Sequence, residues 1–270
     1  REMAPLSADR DMFLDSKGDV DNKKARFSAQ SSGVPGTVAG LLHALEQYGT
    51  LSLSEVLKPA IKLASQGFTV NHDLADSLRL GTKRLYQHAA SKHYFYKPEG
   101  EYYLPGELFV QSDLGSTLKR IAEQGSSGFY KGKTADLIVA QMQRSGGLIT
   151  LDDLASYKVV EREPVCGSYR QYSVCAMPPP SSGGIHVIQM LNILEEHNLV
   201  AMGHNSATYA ALLTESMKYA YADRSEYLGD PGFFDVPVKS LTSKAYAKQV
   251  NKRITLNTIT PSNEILPGAA

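Results

Sequence analysis

The side chains with the chemistry for nucleophilic, acid–base or metal work are few: Ser181-Ser182, seven histidines, two cysteines and the cluster Asp223-Arg224-Ser225-Glu226. The serines lie in Met177-Pro178-Pro179-Pro180-Ser181-Ser182-Gly183-Gly184, where a proline run breaks into hydroxyls, glycines and an apolar stretch. Prolines fix φ and supply no donor, so they end a preceding strand and hold the next residues at a set angle. Ser181 or Ser182 can cap a helix from about Gly183 to Asn198, whose exposed N–H groups and positive dipole end attract carboxylates or phosphates. A strand-to-helix corner with an N-cap and no ligand is the alternative. As nucleophiles these serines need an activating base, and no G-x-S-x-G elbow supports them.

The remaining candidates are weaker. His43, His72, His88, His93, His186, His197 and His204 include no i, i+4 pair with an intervening Glu, so no zinc-hydrolase motif is present and they read as surface or core polar residues. Gly146-Gly147 and Gly183-Gly184 lack the lysine of a P-loop and the spacing of a dinucleotide site. Asp223 and Glu226 resemble an acid pair for proton transfer, but flanking Arg224 near the end of a long helix they are better read as ion pairs and capping. By spacing alone the chain holds no catalytic set, no metal site and no cofactor motif.

Cys166 and Cys175, the only two cysteines, exclude a thiolate zinc cluster. Val165–Tyr169 and Tyr172–Ala176 read as strands joined through Arg170-Gln171, and a two-residue turn puts the cysteines opposite one another. A cross-strand disulfide is then possible. Two free half-buried thiols remain the alternative, because Arg-Gln suits a primed turn poorly and a longer loop would shift the register.

These groups must be positioned by a chain of 270 residues that is 42% hydrophobic, enough for a large core. No stretch approaches the roughly 18 apolar residues of a membrane helix. Lys+Arg and Asp+Glu are both 28, and no basic run is broader than Lys23-Lys24-Ala25-Arg26, so neither nucleic acid nor an anionic membrane is an expected partner. The chain begins with Arg1, so either a leader and more have been removed or it is an internal piece, and compartment cannot be read from it.

Periodicity and caps predict a loop over Ser16–Ser32, then helices over about Thr37–Gln47, from the capping box Ser52-Leu53-Ser54-Glu55 to Gln66, and from Asn71 to Ala90. Pro59 predicts a kink or a later start in the second. Tyr94–Tyr103 reads as short strands and turns. Helices are then expected from Ser112 to Gly125 and Lys131 to Ser145, with a box at Thr150-Leu151-Asp152-Asp153; after the two strands come helices over Gly183–Asn198, Ser206–Glu226 and Thr242–Arg253. Residues 256–270 read as an extended or disordered tail. The physical reading is one mostly helical α+β domain, 1–270.

Longer motifs add a resemblance. Arg1-Glu2-Met3-Ala4-Pro5, Ser32-Gly33-Val34-Pro35-Gly36-Thr37-Val38-Ala39-Gly40, Gly146-Gly147-Leu148-Ile149, Met177 to Gly184 and Tyr221-Ala222-Asp223-Arg224-Ser225-Glu226-Tyr227-Leu228-Gly229-Asp230-Pro231 occur in this order. Together they resemble the large subunit of bacterial γ-glutamyltranspeptidases over essentially the whole chain. The resemblance implies part of a four-layer α/β/β/α N-terminal-nucleophile hydrolase sandwich, made as one precursor that cuts itself into a large and a small subunit. It implies a nucleophilic threonine at the start of the small subunit, which attacks glutathione or another γ-glutamyl amide. The γ-glutamyl group then passes to water, an amino acid or a peptide. Base and oxyanion donors also come from the small subunit.

Two departures from the family bear on function. The chain ends at Pro267-Gly268-Ala269-Ala270 without the Thr-Thr-His type of start of the small subunit, and it begins inside the large subunit, so early strands should be missing. An N-terminal Thr uses its own α-amine, of pKa about 8, as base, and no internal Thr has one, so this chain alone is expected to be inactive. One substrate-binding residue carries across: Arg1 matches the family arginine that clamps the α-carboxylate of the γ-glutamyl group, a task suited to a planar, bidentate, permanently charged donor. The resemblance implies a periplasmic or secreted enzyme. A related acylase acting on glutaryl or cephalosporin side chains, and an inactive helical fragment serving as a binding module, are the alternatives.

Overall fold

The computed structural model describes residues 1–268, and the chain divides into two compact units, Arg1–Val160 and Glu161–Ala270. Both are built mainly of helices, and the strands of the described residues form two antiparallel ribbons of two strands each.

In the first unit the helix Thr37–Tyr48 starts behind Gly36 and stops at Gly49. The next, Leu53–Gln66, begins where its capping box places it. Glu55 N–H donates to Ser52 Oγ at 3.3 Å and Ser52 N–H to Glu55 Oε2 at 2.9 Å, satisfying donors at the helix start. That reciprocal cap overrides the delayed start expected from Pro59, which sits inside the helix. This helix packs against Ser112–Gln124, and the approach is close enough that a Cβ on Gly115 would lie 2.4 Å from Ser65 Oγ.

Three expectations are corrected in this unit. The helix capped by Asn71 spans His72–Leu85 and does not reach Ala90; a separate helix, Ala89–Phe95, comes after it. The tyrosine-rich stretch therefore begins in that helix and continues into the 3-10 turn Pro98–Gly100; the strands lie outside it, where Phe68–Thr69 pairs with Leu108–Phe109. Within Ser16–Ser32, Asp21 caps a short helix Asn22–Phe27 by accepting from the N–H groups of Lys23 and Lys24, at 3.0 and 2.9 Å, and a 3-10 turn Ala29–Ser31 succeeds it. The polar composition that suggested loop is the composition of an exposed, capped turn of helix. The core of this unit gathers Val34, Tyr130, Ala135, Ile149 and Leu154 beneath helices Gly132–Ser145 and Leu151–Ser156.

In the second unit Val165–Tyr169 pairs with Tyr172–Ala176 in the expected register, Cys166 opposite Cys175, and the two cysteines form a disulfide. Arg170 takes the turn with φ 52°, a conformation unusual for a non-glycine residue. Helices Gly183–Glu195, Ala207–Tyr227 and Lys244–Asn251 enclose a core of Ile185, Ile193, Tyr219, Leu241, Tyr246 and Val250. Ile265 joins that core, so the segment after Leu256 is held down over part of its length and carries the 3-10 turn Ser262–Glu264. The end of the expected tail, Ala269 and Ala270, lies outside the described residues.

Candidate functional site

Arg1 lies on an arm whose main chain is tied down at several points, all within the first unit. Met3 and Val34 exchange backbone bonds as an isolated antiparallel bridge, with Met3 N–H to Val34 O at 3.1 Å and Val34 N–H to Met3 O at 2.7 Å. Tyr157 Oη donates to Arg1 O at 2.6 Å. Beyond the bridge, Leu6 N–H donates to Asp153 Oδ1 at 2.7 Å. The segment Ser32–Gly40 supplies the platform: Val34 makes the bridge, and Gly36 allows the approach. A Cβ at Gly36 would lie 1.8 Å from Arg1 O and 2.0 Å from Tyr157 Oη, so only glycine fits.

A tyrosine pair stiffens this platform. Tyr157 stacks on Tyr130 with centroids 5.6 Å apart and planes 7° from parallel. Tyr130 Oη donates to Pro35 O at 2.7 Å and accepts the Ala39 N–H at 3.2 Å, joining the platform to the next helix. Burial raises the phenol pKa of Tyr157, against the opposing charge of Arg1, and burial likewise raises that of Tyr130. Both therefore stay protonated and able to donate.

Asp153 joins the arm to the local helix. Its Oδ2 accepts from Thr150 N–H at 2.8 Å and Thr150 Oγ1 at 2.7 Å, completing the capping box, while Oδ1 holds Leu6. It is only 4% exposed. Burial acts to raise its pKa, but the bonds from Thr150 and Leu6 outweigh burial and hold it below the usual carboxylate range. The Arg1 guanidinium, by contrast, is exposed, with Nη1 donating to Glu2 O at 3.4 Å. The arrangement is a permanently charged, solvent-facing fork on a fixed backbone, which suits capture of a carboxylate.

The proline corner behaves differently. A cis peptide joins Pro179 to Pro180. Ser181 Oγ accepts the Gly183 N–H at 3.2 Å, Gly184 N–H donates to Met177 O at 3.2 Å, and Ser182 makes no side-chain cap. Two first-turn donors are thus used by the chain itself, which leaves the helix start poorly suited to an anion. Pro178 and Pro179 do line a cavity of about 860 Å³ with Arg162, Phe233, Phe234 and Lys239. Its lining holds no nucleophile and base in partnership: Cys166 is in the disulfide and Thr242 Oγ1 donates to Val238 O at 2.8 Å.

Of the other sequence candidates, His72, His88, His93 and His204 are exposed, whereas His186, His197 and Asp223 are engaged within the protein. His186 is nearly buried beside the Tyr221 ring; burial, then Arg224, push its imidazole pKa down, while Asp223 opposes them. His197 Nε2 meets Asn251 Oδ1 at 2.8 Å. Asp223 is buried and bonded to neutral donors from Gln189, Tyr246 and Gly268, while Glu226 is exposed, so the pair does not act as a proton-transfer dyad. Among the described residues no group of three or more His, Cys, Asp or Glu could hold a metal, and no helix is long and apolar enough to cross a membrane. The sequence offered Arg1 as a candidate but gave no sign of Tyr157 or of the reach of Asp153; the capping box signalled Asp153 only as a local cap.

Comparison with known proteins bears on the whole chain. The family model described as gamma-glutamyltranspeptidase matches residues 1–269. The chain is 53% identical over 269 residues to a glutathione hydrolase proenzyme of Escherichia coli (strain K12), covering 99% of this chain and 46% of that protein. It is 38% identical over 252 residues to the acylase ACY 1 proenzyme of Pseudomonas sp. (strain V22), covering 91% of this chain and 45% of that protein. Among solved structures, the crystal structure of Helicobacter pylori gamma-glutamyltranspeptidase superposes with a TM-score of 0.97 at 47% identity, covering 99% of this chain and 77% of that one. The chain spans about half the length of the curated relatives it matches.

Proposed function

Because the chain belongs to the gamma-glutamyltranspeptidase family, we propose that it is the large-subunit portion of a γ-glutamyl transferase and glutathione hydrolase. The observation that carries this reading is the Arg1 arm. Its carbonyl is held by Tyr157, its bridge by Val34 and its exit by Asp153, so the guanidinium is presented from a fixed main chain. In the proposed enzyme Arg1 binds the α-carboxylate of the γ-glutamyl group through both arms of its fork. This is binding and orientation, which brings the γ-amide to a nucleophile held elsewhere.

That nucleophile is an N-terminal threonine of a small subunit from the same precursor; the proenzyme names of the relatives support such a partner. The threonine attacks the γ-carbonyl, the amine leaves, and the γ-glutamyl-enzyme passes its acyl group to water, an amino acid or a peptide. No cofactor or metal enters this scheme. The assembled enzyme completes a four-layer α/β/β/α sandwich, to which this chain contributes mostly helices. Export to the periplasm or beyond is supported by the Cys166–Cys175 disulfide, a bond that persists in oxidising compartments.

The acylase similarity favours a second reading, a glutaryl or cephalosporin acylase. The two substrates differ in the α-amino group, which a glutaryl group lacks; both keep the terminal carboxylate that Arg1 would engage. The test is release of anilide from γ-glutamyl and glutaryl anilides by this chain alone and by the complete processed precursor. The account expects turnover of the γ-glutamyl compound by the complete enzyme only. Preference for the glutaryl compound supports the acylase, and turnover by the isolated chain contradicts both.

A further inference from the structure

The helix Ala207–Tyr227 carries a second set of fixed bonds that the Arg1 site does not use. Asp223 is 1% exposed, and a buried carboxylate is costly unless its oxygens are filled. It accepts from Gln189 Nε2, from Tyr246 Oη at 2.7 Å and from the Gly268 N–H at 2.8 Å. One turn on, Tyr227 Oη donates to Gly268 O at 2.6 Å, so both polar groups of that main-chain unit are held by one helix. Gly268 is pressed against the Tyr246 ring, where a Cβ would lie 2.0 Å from Tyr246 Oη. Further back, Lys218 Nζ donates to Thr260 O at 2.7 Å, and Ile265 enters the core.

Among the described residues of this segment the regular structure is the turn Ser262–Glu264, and Ile259 and Leu266 are 83% and 70% exposed. The three attachments at Thr260, Ile265 and Gly268 therefore define its path along the helix. Resting on the proposed self-processing precursor, we infer that Asp223, with Tyr227 and Tyr246, is a positioning group for self-cleavage. It fixes Gly268 so that the chain continuing toward the scissile peptide leaves from a defined point. Correct placement of that peptide against the threonine hydroxyl is the condition for attack on its carbonyl. Asp223 itself touches no reacting atom.

The test uses the full precursor. Asp223→Asn presents an amide N–H₂ where an oxygen now accepts, and Gly268→Ala forces the strap off Tyr246; both should slow self-cleavage about tenfold or more, and Tyr227→Phe about fivefold. Turnover per processed site, measured on the fraction that does mature, should stay within about twofold of wild type, since the reacting groups are untouched. Lys244→Ala, which breaks the Lys244–Glu195 pair elsewhere in the same unit, is the control for general destabilisation. Cleavage of Asp223→Asn at the wild-type rate overturns the inference. So does slowing by Lys244→Ala in proportion to its lost melting temperature. A wild-type precursor that never cleaves overturns the proposed function, and this inference with it.

Discussion

Asp153→Asn should loosen the Arg1 arm by an amount that depends on pH. The carboxylate accepts Leu6 N–H at 2.7 Å through one oxygen and Thr150 N–H and Oγ1 at 2.8 and 2.7 Å through the other. In the amide one oxygen becomes a donor, so whichever way it turns, a main-chain N–H of Leu6 or Thr150 faces another N–H. The Thr150 hydroxyl can rotate to adapt, but the stranded N–H cannot. Loss of one charge-assisted bond at a buried site sets the cost at about 2–3 kcal/mol near neutral pH. The folded-state pKa of Asp153 lies below its unfolded value, because the bonds outweigh burial. Its contribution is therefore complete above the unfolded pKa of about 3.9 and is lost as pH falls through the folded value. The amide does not titrate, so the gap between wild type and variant should shrink in acid. Urea unfolding followed by circular dichroism at pH 7 and at steps below pH 5 measures that gap. Other carboxylates with lowered pKa, Glu55, Glu107 and Glu195, titrate alike in both proteins and cancel in the difference. A gap under about 0.5 kcal/mol at pH 7, or one that widens in acid, would refute the reasoning.

Close contacts and the cross-link set three more outcomes. Gly36→Ala should destabilise by about 1–3 kcal/mol through overpacking against Arg1 O, and in the complete enzyme raise KM more than it lowers kcat; unchanged kinetics would show that the arm has other slack. Gly184→Ala, whose Cβ would lie 2.3 Å from Met177 O, should cost a similar ~1–3 kcal/mol in denaturant unfolding with no specific effect on KM. Replacing Cys166 and Cys175 with serine should remove about 2–3 kcal/mol, from the loop entropy of a bridge across a sequence separation of 9, and the difference should vanish when wild type is unfolded in reductant.

Local rules were legible in the sequence where a single side chain closes a donor. The boxes at Ser52-Glu55 and Thr150-Asp153 start helices where the spacing puts them, and the register that pairs Cys166 with Cys175 follows from strand alternation and a short turn. Legibility fails where tertiary contact decides. The polar stretch after Ser16 hides a helix because Asp21 satisfies its first donors, and the tyrosines after Tyr94 pack edge to face around Tyr96, Tyr103 and Phe109 without forming strands. The site divides in the same way. Arg1 became a candidate only through a resemblance spanning the chain, since a single exposed arginine has no periodicity. Tyr157 reaches Arg1 across 156 residues of sequence and Asp153 reaches Leu6 across 147, separations no local pattern encodes. Asp223 looked like part of an ion-paired cluster and proved to be filled by neutral donors from Gln189, Tyr246 and Gly268, all distant from it in sequence.

The central claim is that this chain supplies the carboxylate clamp, and not the nucleophile, of a γ-glutamyl transferase. Steady-state hydrolysis of a γ-glutamyl anilide by the complete processed enzyme, wild type against Arg1→Lys, tests it most directly. Lysine keeps the charge and loses the fork, so KM should rise at least about tenfold while kcat changes little. An unchanged KM for the γ-glutamyl substrate would contradict the assignment of Arg1 and the reading built on it.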